Sequence, residues 1–469
     1  MNTNQLDRNN LDSFRQIFEG SLIDPSDPRY DKARRVWNGM VDRHPALIAQ
    51  CTDAADVVSA LRFAKENDLT VAVRGGGHHV AGYAVCDDGL VIDMSPMHAV
   101  QVDPENRTVR AGAGARWAEV DEATQPFGLA TPGGEVSETG IAGLTLGGGV
   151  GYLRRQYGLS CDNLLSVELV TADEQLIRAS ESENSDLFWA LRGGGGNFGI
   201  VTTFEYRLHP VGPDVTTLNP IYPINKARKA LTIWRDFTAA APEEATTAFA
   251  IWGLPAHSDI PENLHGTDVC FYDGMHIGPP DVADAVFRPL RQMEGKLLDL
   301  SERVPYVEAQ RSFDEFFPDN GLYYWKALFL DGLSDTAIEE IVSRAKQRPS
   351  PGILVIIRHL GGAIDRVGRN ETAYRHRGAQ FMLSIDGAWK DPGESERNIA
   401  WIRNFWEDMQ LYSNGGVYLN FSGFGEGDHD LWQASHGINY ERLAKVKRIY
   451  DPANIFRINQ NIRPAETTA

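Results

Sequence analysis

The sequence predicts an α+β protein with more than one domain. Its 469 residues, 42% of them hydrophobic, are enough for a large core, whereas single domains usually contain roughly 100–200 residues. In the first part of the chain, a helical apolar pattern alternates with short apolar runs of strand length. In the middle part, amphipathic segments such as 338–346 alternate with strand-like runs such as 353–360. Helices and sheets are therefore expected in both parts.

The first predicted elements are a helix and two strands. Thr52 is of a residue type that caps helices, and the helix after it runs to about Asn67. Strands are predicted at 70–73 and at 90–93. The helix has one apolar face, made of Val57, Val58, Leu61 and Ala64.

The next elements continue this mixture. A strand is predicted at 108–111, and a helix at 117–125 ends before Pro126 and Gly128. Two antiparallel strands follow, joined at Ala172-Asp173, and then a short helix. These three elements cover 165–171, 174–179 and 186–192.

Composition excludes several classes of function. The formal charge of −19, from 64 acidic and 45 basic residues, argues against binding to nucleic acid or to an anionic membrane. The four cysteines have no CxxC spacing and are too few for a disulfide framework. Residues 1–13 are polar, unlike a signal peptide, and there is no run of about 18 apolar residues. We expect a soluble cytoplasmic protein that acts on small molecules, without a metal; the oligomeric state is left open.

Residues 74–82 read Arg-Gly-Gly-Gly-His-His-Val-Ala-Gly and follow a predicted strand. Three glycines can adopt positive φ and present successive N–H groups, which is how a backbone forms a nest for a diphosphate. His78 would then lie within reach of a bound cofactor. The alternative is a tight turn that carries two surface histidines.

Two more glycine-rich stretches follow. Residues 140–151 contain many positions without side chains, which indicates that a large flat ligand approaches the backbone. Gly194-x-Gly196-x-x-Gly199 fits the dinucleotide fingerprint, but it follows a helix and precedes the strand 200–208. Because that fingerprint should follow a strand and begin a helix, a Rossmann domain is rejected. A P-loop motif is also absent from the sequence.

Taken together and in order, the motifs closely resemble those of berberine bridge enzyme-like flavoproteins, within the vanillyl-alcohol oxidase / p-cresol methylhydroxylase superfamily. Among them, the chain looks most like bacterial members with one covalent flavin bond, of the hydroxynicotine oxidase and enterocin-biosynthesis types. The resemblance spans nearly the whole chain. It is carried by 74–78, 140–151, 157–163, 186–194, 197–201 and 439–462.

The resemblance implies a two-domain fold with a PCMH-type FAD-binding domain that is discontinuous in sequence. Residues 1–212 and 415–469 would form the FAD domain. Residues 213–414 would form a substrate domain, an antiparallel sheet backed by helices. The active site would lie at the interface, where pockets are commonly found.

The resemblance also implies that His78 bonds to the 8α-methyl group of FAD. A second bond in many relatives comes from a cysteine four residues before Gly140, and here that position is Val136. A single covalent bond is therefore expected. Thr139 would lie on the oxygen-reactive side of the flavin, or would merely cap a turn. The complete set of expected FAD contacts is Arg74, Gly75, Gly76, Gly77, His78, His79, Gly82, Thr139, Gly140, Gly143, Gly149, Ile200, Val201, Tyr418 and Asn461.

The expected catalytic residues are Tyr418, Asn420 and Arg358. Tyr418-Leu-Asn420 matches a Tyr-x-Asn strand of the family, whose alternate side chains face the flavin. Several relatives have a catalytic glutamate where this chain has Ile356. Tyr418 is then the expected base, with Arg358 lowering its pKa; a packed core tyrosine is the alternative. Arg358 would bind an anionic substrate or pair with an acidic residue.

The function implied is an FAD-dependent oxidase that removes hydride from a hydroxylated secondary metabolite and passes electrons to O2. A sugar or simple alcohol oxidase is the alternative among enzymes, favoured if exposed tryptophans line an open groove. A flavin-binding protein without catalytic activity is the alternative of another class.

Overall fold

The structure is a computed structural model that describes residues 8–425 and 429–466. Its first part contains helices α1 (Arg8–Ile17), α2 (Tyr30–Ala33), α3 (Ala54–Glu66), α4 (Trp117–Thr124), α5 (Ile141–Leu146), α6 (Arg154–Tyr157) and α7 (Ser185–Leu191). The strands of this part are β1 (Ser21–Ile23), β2 (Leu47–Gln50), β3 (Val71–Arg74), β4 (Leu90–Asp93), β5 (Val100–Asp103), β6 (Thr108–Gly112), β7 (Leu129–Ala130), β8 (Leu164–Val170), β9 (Leu176–Ser180), β10 (Ile200–Arg207) and β11 (His209–Pro210).

The middle part contains strands β12 (Asp214–Leu218), β13 (Pro220–Pro223), β14 (Ala245–Gly253), β15 (Asp268–His276), β16 (Leu298–Asp299), β17 (Arg303–Pro305), β18 (Leu322–Leu330), β19 (Ile353–His359) and β20 (Phe381–Trp389). Its helices are α8 (Ala227–Thr238), α9 (Pro280–Arg291), α10 (Tyr306–Gln310), α11 (Asp335–Ala345), α12 (Ala363–Arg366) and α13 (Ser395–Met409). Helices α14 (His429–His436) and α15 (Tyr440–Tyr450) follow.

Two sheets of the first part position the glycine-rich loops. One has the order β1-β2-β4-β3, in which β2, β4 and β3 are parallel. The other is antiparallel, with the order β5-β6-β10-β8-β9. At the ends of β3 and β4, Arg74 lies opposite Asp93 and forms a buried ion pair with it at 2.8 Å. This pair fixes the point where the loop of Gly75–His79 leaves the sheet.

The middle part is built on one large antiparallel sheet, with the strand path β16-β13-β15-β14-β19-β20-β18. Side chains alternate between the two faces of each strand. One face packs against helices α8, α9, α11 and α13 through a core that includes Tyr272, Leu328 and Val355. The opposite face carries Trp325 and Ile356, and it packs against the first part of the chain. This second face becomes a wall of the site.

The α+β fold class is confirmed. The core of the first part also contains Leu443, Val446, Phe456 and Ile462, so the end of the described chain completes it. This agrees with a discontinuous FAD domain, while the boundaries at 212 and 414 stay predictions. None of the described helices is both long and apolar enough to cross a membrane.

Some predicted elements need correction. The N-cap of α3 is Asp53, whose side chain accepts from the Asp56 N–H, whereas the Thr52 hydroxyl donates to the Asp56 carboxylate at 2.8 Å. Residues 418–420 do not form a strand, because Tyr418 precedes a 3₁₀ turn at Leu419–Phe421. Of the polar segment 1–13, residues 1–7 lie outside the described residues.

One buried ion pair holds the C-terminal segment against the first part. The Lys447 ammonium donates to the Asp451 carboxylate at 2.6 Å, to the Asn197 carbonyl at 2.7 Å and to the Phe456 carbonyl at 2.9 Å. Asp451 also accepts from two backbone N–H groups, those of Ile455 and Phe456. The segment that begins at Phe456 is therefore anchored through this pair.

We predict that Lys447→Met lowers the free energy of unfolding by about 3–5 kcal/mol, because it leaves a buried carboxylate without its cation. Urea denaturation followed by circular dichroism measures this. Glu339→Gln is the control, since Glu339 and its partner Arg228 are exposed and such pairs contribute little. Equal midpoints for the two variants would show that the buried pair does not anchor the segment.

Candidate active site

A long cavity lies between the glycine-rich loops and the large sheet. It is bounded by the loop after β3, by α5 and the loop before it, and by the loop that precedes β10. Strands β18, β19 and β20 form the opposite wall, and the segments 418–421 and 456–460 close the remaining side. Segments that are far apart in the sequence therefore surround one cavity.

The glycine loops approach each other backbone to backbone. A Cβ atom added to Gly76 would lie 2.5 Å from the backbone of Gly140, and Gly77 has a φ of +67°. A Cβ atom on Gly75 would lie 2.8 Å from the Ala113 carbonyl oxygen. Larger residues would push the loops apart, so these glycines are required by the close approach.

His78 lies in this cradle with an unpaired nitrogen. Its ring stacks on Trp37, with centroids 4.2 Å apart, and Trp37 stacks on Tyr323 of β18 at 3.9 Å. Its Nε2 is buried and has no hydrogen-bond partner among the described residues. Burial lowers the pKa of His78 to about 3, so the imidazole is neutral at physiological pH.

His79 differs from its neighbour, because both of its nitrogens are engaged. The Ala81 N–H donates to Nδ1 at 3.0 Å, and Nε2 lies 3.2 Å from the Leu419 carbonyl oxygen. Burial lowers its pKa to about 4. His79 thus connects the glycine loop to the turn at Leu419–Phe421, while His78 keeps a free nitrogen.

Most of the expected FAD contacts line the cavity, but four do not. Arg74 is engaged with Asp93, Gly82 packs against Val41, and Gly149 packs against Ser160. Asn461 is outside the lining, and its Oδ1 is buried without a partner among the described residues. The cavity brings together Gly75, Gly76, Gly77, His78, His79, Thr139, Gly140, Gly143, Ile200, Val201 and Tyr418.

Tyr418 and Asn420 contact each other at the end of the cavity. The Tyr418 hydroxyl accepts from Asn420 Nδ2 at 3.0 Å and from the Val150 N–H at 3.1 Å. Burial raises the pKa of Tyr418 to about 12 despite these hydrogen bonds. The prediction of a pKa lowered by Arg358 is wrong, because that guanidinium is engaged with other groups.

Arg358 pairs with acidic residues, which was one of the two sequence-based alternatives. It contacts Glu135 at 2.7 Å, the Ser384 hydroxyl at 2.7 Å and Asp386 at 3.8 Å. Glu135 also binds Arg154 at 3.0 Å. As predicted, Arg358 and Ile356 share the face of β19 that lines the cavity, and His359 does not line it.

Asp386 is a functional candidate that sequence reasoning missed. It lies on β20, is 2% exposed and lines the cavity. Its Oδ2 accepts from the Ser384 hydroxyl at 3.0 Å, but its Oδ1 has no partner among the described residues. Burial raises its pKa to about 6, although Arg358 and Ser384 act in the opposite direction. The available signal was the only carboxylate of a mainly apolar strand, Phe381–Trp389.

The residues that form the cavity are suited to binding FAD. Loops without side chains provide a backbone cradle, and the cavity extends along Gly195, Gly196 and Gly199 to the start of β10. His78 offers a neutral, unpaired nitrogen inside the same cavity. Val136 also lines it, whereas none of the four buried cysteines does.

Comparison with known proteins supports the same cofactor. Residues 45–180 match the family model of the FAD binding domain, and residues 417–463 match the model described as berberine and berberine like. The FAD-linked oxidoreductase pgmH of Aspergillus terreus is 42% identical over 483 residues, covering 95% of this chain and 94% of its own. The (R)-6-hydroxynicotine oxidase of Paenarthrobacter nicotinovorans is 31% identical over 484 residues, covering 95% and 97%.

Solved structures show the same fold. The crystal structure of 6-hydroxy-D-nicotine oxidase from Arthrobacter nicotinovorans has a TM-score of 0.85 and 29% identity, covering 96% of this chain and 98% of its own. The chain belongs to the berberine bridge enzyme-like FAD-linked oxidoreductases of the vanillyl-alcohol oxidase / p-cresol methylhydroxylase superfamily.

Proposed function

We propose that the protein is an oxidase that takes hydride from a hydroxylated secondary metabolite and passes the electrons to O2. The observation that carries this proposal is Asp386, a buried carboxylate with an unpaired oxygen in the FAD cavity. Bound FAD supplies the acceptor for the electron pair of a C–H bond and can return that pair to dioxygen. The chain must then position the substrate and take its hydroxyl proton.

His78 is proposed as the covalent attachment point of FAD, through the 8α-methyl group. A neutral imidazole has the lone pair that bond formation needs, and stacking on Trp37 fixes the ring orientation. The bond removes one hydrogen from the imidazole nitrogen and one from the methyl carbon, two hydrogen equivalents that dioxygen can accept. Because Val136 is at the position of the second linkage and no cysteine of the described chain lines the cavity, we propose a single bond.

Asp386 is proposed as the general base. Its pKa of about 6 makes it mostly ionised at neutral pH, and its free Oδ1 can accept a hydroxyl proton from the substrate. Arg358 stabilises the carboxylate form. Tyr418, with a pKa of about 12, is a poorer acceptor, and its contacts with Asn420 and Val150 suit a positioning role.

The cavity favours an aromatic or aliphatic substrate over a sugar. Trp325 is the one tryptophan of the described chain that lines it, and this side chain is only 6% exposed. The open groove of exposed tryptophans that would indicate a sugar oxidase is therefore not seen in the described residues. The relative named for 6-hydroxynicotine also supports a small hydroxylated substrate. The cytoplasmic location stays a prediction from composition.

Anaerobic mixing tests the proposed activity. We expect that at least one hydroxylated aromatic compound, from a panel with 6-hydroxynicotine, bleaches the visible flavin absorption without air, and that air restores it with formation of hydrogen peroxide. Bleaching by maltose or glucose alone would support a sugar oxidase instead. If no compound bleaches a flavin that dithionite reduces, the protein is a flavin-binding protein without this activity.

A matched pair of variants tests the base. Asp386→Asn should slow anaerobic flavin reduction by about 10²–10⁴, the usual contribution of a positioned base, whereas Tyr418→Phe should slow it much less. In the wild type, the reduction rate should fall about tenfold per pH unit below about 6, as the Asp386 carboxylate becomes protonated. In Asp386→Asn this dependence should be lost. A larger effect of Tyr418→Phe would make the tyrosine the base.

A further inference from the structure

The Trp325 side chain lines the cavity and carries an unpaired indole N–H. Its Nε1 is buried and has no hydrogen-bond partner among the described residues, although the side chain lines the cavity. In contrast, the indole N–H groups of Trp37 and Trp406 donate to backbone carbonyls at 2.9 and 3.0 Å. A buried donor is normally paired. A ligand in the cavity would supply the missing acceptor.

The sheet places this donor beside the unpaired acceptor. Trp325 of β18 is the direct register partner of Asp386 of β20, which in turn is opposite Leu354 of β19. Direct partners in an antiparallel ladder share a face, with Cβ atoms about 4.5–5.5 Å apart. An indole N–H and the carboxylate Oδ1 therefore belong to neighbouring side chains on one wall.

Aromatic rings hold the Trp325 indole in place, and the charged neighbours of Asp386, Arg358 and Glu135, are paired with each other at 2.7 Å. The Trp325 ring makes edge contacts with Phe317, at 5.6 Å, and with Phe421, at 5.2 Å. Leu354 and Ile356 extend the apolar wall. A sugar would leave several hydroxyl groups without partners against such a surface, whereas a flat aromatic ring suits it.

We propose that Trp325 determines substrate specificity: the substrate is an aromatic compound with two oxygens on the same edge of its ring system. One is the hydroxyl that donates to Asp386 Oδ1, and the other is a phenolic or carbonyl oxygen that accepts from Trp325 Nε1. This inference rests on the proposed function, in which Asp386 takes the hydroxyl proton. Trp325 thus distinguishes a substrate from analogues that lack the second oxygen.

Binding titration of the FAD-loaded protein tests the proposal independently of turnover. The probes are 2-hydroxybenzyl alcohol, benzyl alcohol and maltose, and binding is followed anaerobically by perturbation or bleaching of the flavin spectrum. The wild type should bind 2-hydroxybenzyl alcohol about tenfold more tightly than benzyl alcohol, because only the former provides the acceptor. Trp325→Phe should reduce this preference to less than about twofold, because the indole N–H that distinguishes the two alcohols is removed.

Trp252→Phe is the matched control. Trp252 also has a buried, unpaired Nε1 within the described chain, but it does not line the cavity, so its variant should keep the tenfold preference. Equal binding of the two alcohols by the wild type, tighter binding of maltose, or an unchanged preference in Trp325→Phe would each overturn the proposal. Tight, selective binding without any bleaching would instead leave this proposal standing and contradict the oxidase function.

Discussion

The close contact between Gly76 and Gly140 is the constraint on which the site depends. A side chain on either residue would meet the backbone of the other at about 2.5 Å, so the two loops come this close only as glycines. Their approach forms the floor of the cavity and brings His78 against Trp37. Because Trp37 stacks on Tyr323, the same contact couples the flavin cradle to the large sheet.

The two faces of the large sheet have different roles, because side chains alternate between them along each strand. One face forms an apolar core with helices, and the other carries a small group of charges on an apolar wall. Glu135, from the glycine-rich part, joins this group by binding both Arg154 and Arg358. Arg358 contacts Glu135 at 2.7 Å but Asp386 only at 3.8 Å, and the Asp386 Oδ1 has no partner among the described residues.

The sequence predicted the features that depend on local pattern. The glycine loops and a reachable His78 could be inferred from glycine spacing, and strand alternation placed Ile356 and Arg358 on one face. That this face meets the cofactor was implied by the family resemblance. Asp386 could not be inferred, since its importance comes from the register that places β20 between β18 and β19. Arg74 was expected at the cofactor, but the parallel pairing of β3 with β4 gives it Asp93 as a partner.

The turn at Leu419–Phe421 could not be predicted from local sequence either. The family resemblance implied a strand at Tyr418-Leu-Asn420, yet Tyr418 and Asn420 meet through a 3₁₀ turn, which their contacts with Val150 and Leu144 stabilise. The pKa of Tyr418 also depends on burial by distant parts of the chain, which no local pattern encodes.

Mass spectrometry of a proteolytic digest of the FAD-loaded protein tests most directly whether His78 faces the flavin. One flavin-modified peptide, modified at His78, is the predicted result, and His78→Ala should release all its flavin on acid precipitation. His98→Ala, which changes an exposed histidine, should retain it in the pellet. Flavin attached to a cysteine, or released from the wild type by acid, would contradict the assignment of this cavity.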